Sequence, residues 1–196
     1  MNPLLLDIPE QFETERLVIR CPRAGDGTIV HEGVVETLAD LRAWPASLPW
    51  ALVEPTVDAS EAFCRDGHAA YLLRQSLPML LFLKSGNVYA GGSGMHHLDW
   101  SVPKFEVGYW CRKRFQGQGL ITEAVKAITE FAFTALDARR LESLPDAQNT
   151  ASRCVVERAG YVLEGVMRHE RATAQGELRD TCLYAITRDR FKPASS

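Results

Sequence analysis

The sequence predicts one mixed α/β domain, residues 1–196, and three observations carry that expectation. Arg114-Phe115-Gln116-Gly117-Gln118-Gly119-Leu120 is a basic, glycine-rich turn between a strand-like stretch, 105–111, and a helical period over 121–136. Two further strand-like runs, 79–84 and 88–98, flank Ser85-Gly86-Asn87 and read as a hairpin. After the central helix the chain gives a short strand, another helix and a closing pair of strands around Gly176. Strands that alternate with helices around one corner and pair as hairpins toward the ends make a mixed sheet.

Composition excludes several classes of protein. A chain of 196 residues with 46% hydrophobic and 24% charged residues has the length and the material for a core. The net charge of −3 gives no global basic field, so direct nucleic-acid binding is not expected, although Arg112, Lys113 and Arg114 form a local basic patch on the turn. No apolar run approaches the ~20 residues of a membrane span. The start, 1–12, contains Leu4-Leu5-Leu6 but carries Asp7 and Glu10 without a basic leader, a poor secretory signal. Five cysteines, odd in number and widely spaced, form no CxxC, and His96-His97 has no cysteine at zinc spacing. Reduced thiols, a cytoplasmic location and no metal are the expectation.

Taken in order, 14–20 alternates as a first strand, and Asp26 is placed to cap a helix with Ile29, Val30, Val34, Leu38 and Leu41 inward. Trp44-Pro45-Ala46-Ser47-Leu48-Pro49-Trp50 is a loop, because two prolines interrupt it. Its tryptophans either plug the core or line a substrate pocket. Asp58 or Ser60 caps a second helix with Ala59, Phe63, Ala70 and Leu73 inward. Gly91, Gly92 and Gly94 in the hairpin's second strand signal a bulge or a close backbone approach. Past the central helix come a strand at 140–144 closed by Pro145, then a helix capped by Asn149 with Val155, Val156 and Ala159 inward. Gly160 stops that helix in a left-handed conformation, and strands begin at Tyr161 and Glu177.

A strand-to-helix corner of this kind binds anions, since free amides and the positive end of the helix dipole converge there. A nucleoside-triphosphate loop would need Lys-Ser/Thr where Leu120 and Ile121 stand. A dinucleotide fingerprint would need a small residue where Glu123 stands. What remains is Arg/Gln-x-x-Gly-x-Gly, and Arg114 to Gly119 fits it. This turn resembles that of the Gcn5-related N-acetyltransferase (GNAT) superfamily. Gly108-Tyr109-Trp110, Phe115-Gln116-Gly117-Gln118-Gly119-Leu120, Thr122-Glu123-Ala124, Asn149-Thr150-Ala151-Ser152 and Gly160-Tyr161 together resemble its RimJ/RimL branch of ribosomal-protein N-terminal acetyltransferases.

The resemblance implies a mostly antiparallel twisted sheet of about seven strands, splayed at its centre and flanked by about four helices. It also implies acetyl-coenzyme A as cosubstrate. The backbone of Val107, Tyr109 and Cys111 would pair with the pantetheine arm. Arg114, Gln116, Gly117, Gln118, Gly119, Leu120 and Ile121 would hold the pyrophosphate, and Asn149 and Ser152 would meet the arm and its sulfur. The acceptor is a primary amine, of a protein N-terminus or of a small molecule, and the branch implies a homodimer. Ser152 or Tyr161 protonates the leaving thiolate, with Ser152 preferred by the branch. The base is open among Glu106, His96, His97, Glu170 and a water chain. Trp44, Trp50, His96 and Glu170 are the expected acceptor-side residues.

Overall fold

The structure is a computed structural model that describes residues 2–192; Met1 and 193–196, the ends of the expected domain, lie outside it. The elements run β1 (Gln11–Glu13), β2 (Leu17–Arg20), α1 (Gly27–Arg42), α2 (Val57–Leu72), β3 (Leu77–Leu83), β4 (Val88–Asp99) and β5 (Lys104–Cys111). There follow α3 (Leu120–Ala135), β6 (Arg140–Ser143), α4 (Thr150–Arg158), β7 (Val162–Ala172) and β8 (Leu178–Thr187). One sheet takes the order β1-β2-β3-β4-β5-β6-β8-β7. Every neighbouring pair is antiparallel except β5 with β6. The mixed sheet and, among the described residues, four α-helices agree with expectation, but the strands there number eight. The extra one is β1, three residues too short to show alternation, which the chain adds to the edge of β2.

Helices cover both faces. In β3, Leu80 and Phe82 pack with Val30 and Val34 of α1 and Cys64 of α2, while Leu81 joins Leu17, Ile19, Phe105 and Leu141 against Ala124, Val125 and Ile128 of α3. A strand covered on both sides reads as a continuous apolar run, and β3 is one.

Two caps differ from the sequence reading. Asp26 makes no capping bond; Arg20 Nη1 and Nη2 take its two oxygens, each at 2.7 Å. The amide of Gly27 that opens α1 donates instead to Glu61 of α2 at 3.0 Å. Thr56, rather than Asp58 or Ser60, caps α2 by accepting from the Ala59 amide at 3.0 Å. With it the inward face of α2 becomes Ser60, Cys64, Gly67 and Tyr71, and Phe63 and Leu73 are about half exposed. Asn149 caps α4 as expected, and Gly160 ends it at φ +95°.

The glycines of β4 mark close approaches. A Cβ on Gly91 would lie 2.4 Å from the Trp110 carbonyl oxygen, and one on Gly94 2.4 Å from that of Leu77. Both residues have large positive φ, +150° and +144°, and Gly91 stands next to a register shift in the β3–β4 ladder.

Candidate active site

The sheet opens beside β5. Its parallel pairing with β6 ends at Glu106↔Glu142, while its pairing with β4 continues to Gly91↔Cys111. The side of β5 that carries free backbone groups follows from two hydrogen bonds. The Arg112 amide donates to Ala90 O at 2.8 Å, and Gly108 O accepts from Ser93 Oγ at 2.8 Å, both toward β4. Backbone groups alternate along a strand, so those of Val107, Tyr109 and Cys111 face the gap. From Cys111 back to Val107 that free edge runs about 13 Å at ~3.3 Å per residue.

At its upper end lies the glycine turn. Gly117 and Gly119 adopt φ +74° and +77°, and Gly119 precedes α3. Nothing lies within 4 Å of a Cβ placed on Gly117, so the amides there are open to a ligand. The amides of Gly117 to Leu120 donate to no group among the described residues, whereas that of Gln116 closes the 3₁₀ turn Lys113–Phe115 by donating to Lys113 O at 3.2 Å. Gln116 therefore leaves the set of free amides, and its side chain donates to Asp40 Oδ2 at 3.2 Å. The Arg114 guanidinium is held by Glu36 of α1, with Nε 2.9 Å from Oε2. Glu36 also accepts from Arg112 Nε at 2.8 Å and from the Arg114 amide at 3.0 Å, so one carboxylate ties the turn to α1. The cation nearest Gly119 is Arg16, which the sequence reading did not single out. Its Nη2 lies 3.7 Å from a Cβ built there, and its Nη1 donates to Gln118 O at 3.0 Å.

The Arg114 hydrogen bond, foremost, holds the Glu36 carboxyl at about 2, below its ordinary 4.5. A depressed folded-state value contributes stability that is present above the ordinary value and lost as pH falls through the folded one. Glu36→Gln is therefore expected to flatten the loss of stability between pH 4.5 and about 2, measured as the urea midpoint at successive pH values. An unchanged acid slope would contradict the anchoring role.

At the lower end of the edge stands Ser152. Its amide donates to Asn149 Oδ1 at 3.0 Å, its hydroxyl donates to Tyr109 Oη at 3.0 Å, and Tyr109 Oη donates to Ser152 O at 2.8 Å. Burial pushes the Tyr109 phenol up to about 12, and burial likewise raises the Cys111 thiol to about 11, so both stay protonated near neutrality. The Tyr161 hydroxyl is paired with Thr129 Oγ1 at 2.9 Å inside the core, and its burial raises its pKa. Of the two expected proton donors, only Ser152 faces the gap.

Beyond Ser152 the gap widens into a cleft of about 740 Å³, lined among others by Trp44, Trp50, His96, Glu106, Asn149 and Ser152. Trp50 does not plug the core: it is 46% exposed and lies 6.4 Å, ring to ring, from Trp110. His96 stands opposite Glu106 across the β4–β5 hairpin. His96 Nε2 is 3.2 Å from Glu106 Oε1, and His97 Nδ1 is 2.8 Å from Oε2. Burial acts to raise the Glu106 carboxyl, but the hydrogen bonds of His96 and His97 outweigh it and hold the group below its ordinary value. His97 has φ +48°, an uncommon conformation for a bulky residue, where the β4–β5 register breaks. Glu170 stands behind the wall rather than in it. It accepts from Thr181 Oγ1 at 2.8 Å and pairs with Arg171 Nε at 3.1 Å, and Arg171 is the residue that reaches the cleft.

A strand with one free edge, an amide-lined turn at one end and a serine with a carboxylate–imidazole pair at the other is an arrangement for holding an extended, anionic carrier beside an acceptor. The acetyltransferase (GNAT) domain family model matches residues 16–162, and the chain belongs to that family. It is 36% identical over 108 residues to the Bacillus subtilis (strain 168) protein YdaF, whose name assigns it provisionally as a ribosomal N-acetyltransferase. That match covers 53% of this chain and 58% of YdaF. An uncharacterized N-acetyltransferase of Bacillus licheniformis, p20, is 24% identical over 186 residues, 93% of this chain and 98% of its own. Among solved structures, RimL, a ribosomal-protein α-N-acetyltransferase in complex with coenzyme A, superposes with a TM-score of 0.82 at 22% identity, covering 94% of this chain and 99% of its own.

Proposed function

We propose that the protein transfers the acetyl group of acetyl-coenzyme A directly to a primary amine, the α-amine of a protein or peptide N-terminus. The observation that carries the reading is the free edge of Val107, Tyr109 and Cys111, which links the glycine turn to Ser152 and opens on the cleft. Coenzyme A suits this track: its pyrophosphate meets the amides of Gly117 to Leu120, and its pantetheine amides pair with the strand edge. Asn149 keeps its Nδ2 for the arm while Oδ1 caps α4. The ribosomal-protein names of YdaF and RimL support a peptide acceptor.

The amine enters from the cleft as an ammonium, and the ionised Glu106 draws it in. His96 removes a proton and passes it to solvent, with the Glu106 carboxylate stabilising the imidazolium. The neutral nitrogen attacks the acetyl carbonyl, and an amide on the free edge of β5 supports the oxyanion. The C–S bond then breaks, and the Ser152 hydroxyl turns from Tyr109 to give the departing thiolate a proton, which Tyr109 replaces from its own phenol and solvent returns. The nitrogen gives its second proton to His96, which has already passed the first to solvent, as the amide forms.

Coenzyme A is expected to raise the melting temperature, with a stabilisation of about 2.7 kcal/mol at a hundredfold excess over Kd. Thiol release from acetyl-coenzyme A, followed with a panel of N-terminal peptides, free amino acids and aminoglycosides, then assigns the acceptor. No thermal shift at saturating cofactor would overturn the cofactor reading. Turnover on small amines alone would overturn the peptide one.

A further inference from the structure

Away from the cleft, three side chains with metal-ligating atoms meet beside the edge of the sheet: Glu10 just before β1, Cys21 just after β2, and His68 on α2. One ligand atom from each lies within 4.8 Å of the others. Cys21 Sγ is 3.7 Å from Glu10 Oε2, and His68 Nε2 is 3.7 Å from Glu10 Oε1. The backbone fixes two of the three, since the Cys21 amide donates to Glu10 O at 2.9 Å.

Two features separate this trio from an ordinary polar cluster. His68 Nε2 is enclosed and has no hydrogen-bond partner among the described residues, and a buried polar atom left alone is destabilising. The spacing is also too long for a nitrogen–oxygen hydrogen bond but close to the edge of a metal tetrahedron. With Zn–S of about 2.3 Å and Zn–N or Zn–O of about 2.0–2.1 Å, such an edge is roughly 3.3–3.6 Å. The histidine pair of the cleft lacks this spacing, because His97 and Glu106 are already at hydrogen-bond distance, 2.8 Å.

We propose that Glu10, Cys21 and His68 form a site for a zinc-class divalent cation, with water as the fourth ligand, that clips β1 to the end of β2 and to α2. A thiolate, an imidazole and a carboxylate favour zinc over magnesium or calcium, which take oxygen ligands. On ligation the Cys21 thiol gives its proton to solvent, and one thiolate plus one carboxylate balance the two charges of the ion. Among the described residues Arg23 is the one cation paired with the trio, its Nη2 3.7 Å from Glu10 Oε2; its side chain is about half exposed, so it can swing away. The beneficiary is β1, a three-residue edge strand whose two outer side chains are exposed and whose Phe12 alone packs inward, stacked on Phe131. This site stands independently of the acetyl-transfer reading.

The test uses the full chain, stripped with a chelator and titrated with cobalt(II). A sulfur-to-cobalt charge-transfer band in the near ultraviolet should grow to one equivalent, vanish when zinc is added, and be accompanied by a zinc-dependent rise in melting temperature. Cys21→Ser should abolish the band, and His68→Gln should weaken cobalt binding at least tenfold. His96→Ala should leave the band in place, because the cleft cluster contains no thiol. Should Cys21→Ser fail to fold, His68→Gln, on the partly exposed side of α2, decides the matter. A folded wild type without a thiolate band, or a band untouched by His68→Gln, overturns the proposal.

Discussion

Glu106→Gln is expected to lower kcat for acetyl transfer by about 10²-fold or more while leaving KM for acetyl-coenzyme A near its wild-type value. The glutamine has the same shape, and its single side-chain oxygen could still accept a hydrogen bond. It has no charge, however, and it presents an NH₂ to one of the two imidazoles that now meet carboxylate oxygens at 3.2 and 2.8 Å. The side chain is only 15% exposed, so water does not replace the lost interaction. An imidazolium at His96 then forms without its counter-charge, and the ammonium loses the group that draws it in. The cofactor track lies along Val107, Tyr109 and Cys111, whose free groups point the other way across β5, and it should not register the change. His96→Ala should cost a similar factor, and the double variant little more than either, because the pair acts as a unit. His97, 79% exposed, should matter less. A Glu106→Gln enzyme within about threefold of wild type in kcat would remove both residues from the proton route.

Much of this site was legible because its signals are local. A glycine-rich corner, an Asn cap three residues before Ser152 and a hairpin turn at Ser85-Gly86-Asn87 are each encoded within a few residues, and the structure places all three. The pairing of His96 with Glu106 was open to counting once the hairpin was placed, since residues opposite each other on neighbouring strands share a face. What stayed hidden depends on partners remote in sequence. Asp26 looked like a cap until Arg20 came within reach, and Glu61 from the next helix took over its work. Arg114 looked like a phosphate ligand, but Glu36 on α1 holds it. Arg16 gave no local sign of lying beside the turn; it is brought there by Glu123 of α3, which it meets at 2.6 Å. The inward face of α2 was misjudged because Ser60 and Gly67 are buried and Phe63 is not; Gly67 lets the helix approach Pro78 of β3, so burial there follows close approach rather than hydrophobicity.

The stability of the cleft's wall rests on a different residue. Gly94→Ala is expected to cost roughly 3–5 kcal/mol, read as a fall in the urea midpoint with an unchanged slope. Two terms add. At φ +144° an L side chain is strained whatever the room, and here a Cβ would also stand 2.4 Å from Leu77 O and 2.8 Å from Pro78 Cα. Both of those atoms are backbone in a paired strand, so relief requires β3 and β4 to part at Pro78↔Gly94. The next pair along that ladder, Leu77↔Met95, precedes His96, and any separation is carried straight into the proton route. Activity should therefore fall further than the loss of folded protein explains. Gly165→Ala on β7 is the matched control: its Cβ meets nothing within 4 Å and its φ is not positive, so it should be near neutral or gain about 0.4–1 kcal/mol from the less flexible unfolded chain. If the two variants unfold at the same urea concentration, the close approach at Gly94 does not hold the β3–β4 pair, and the position of His96 must be set from the β5 side alone.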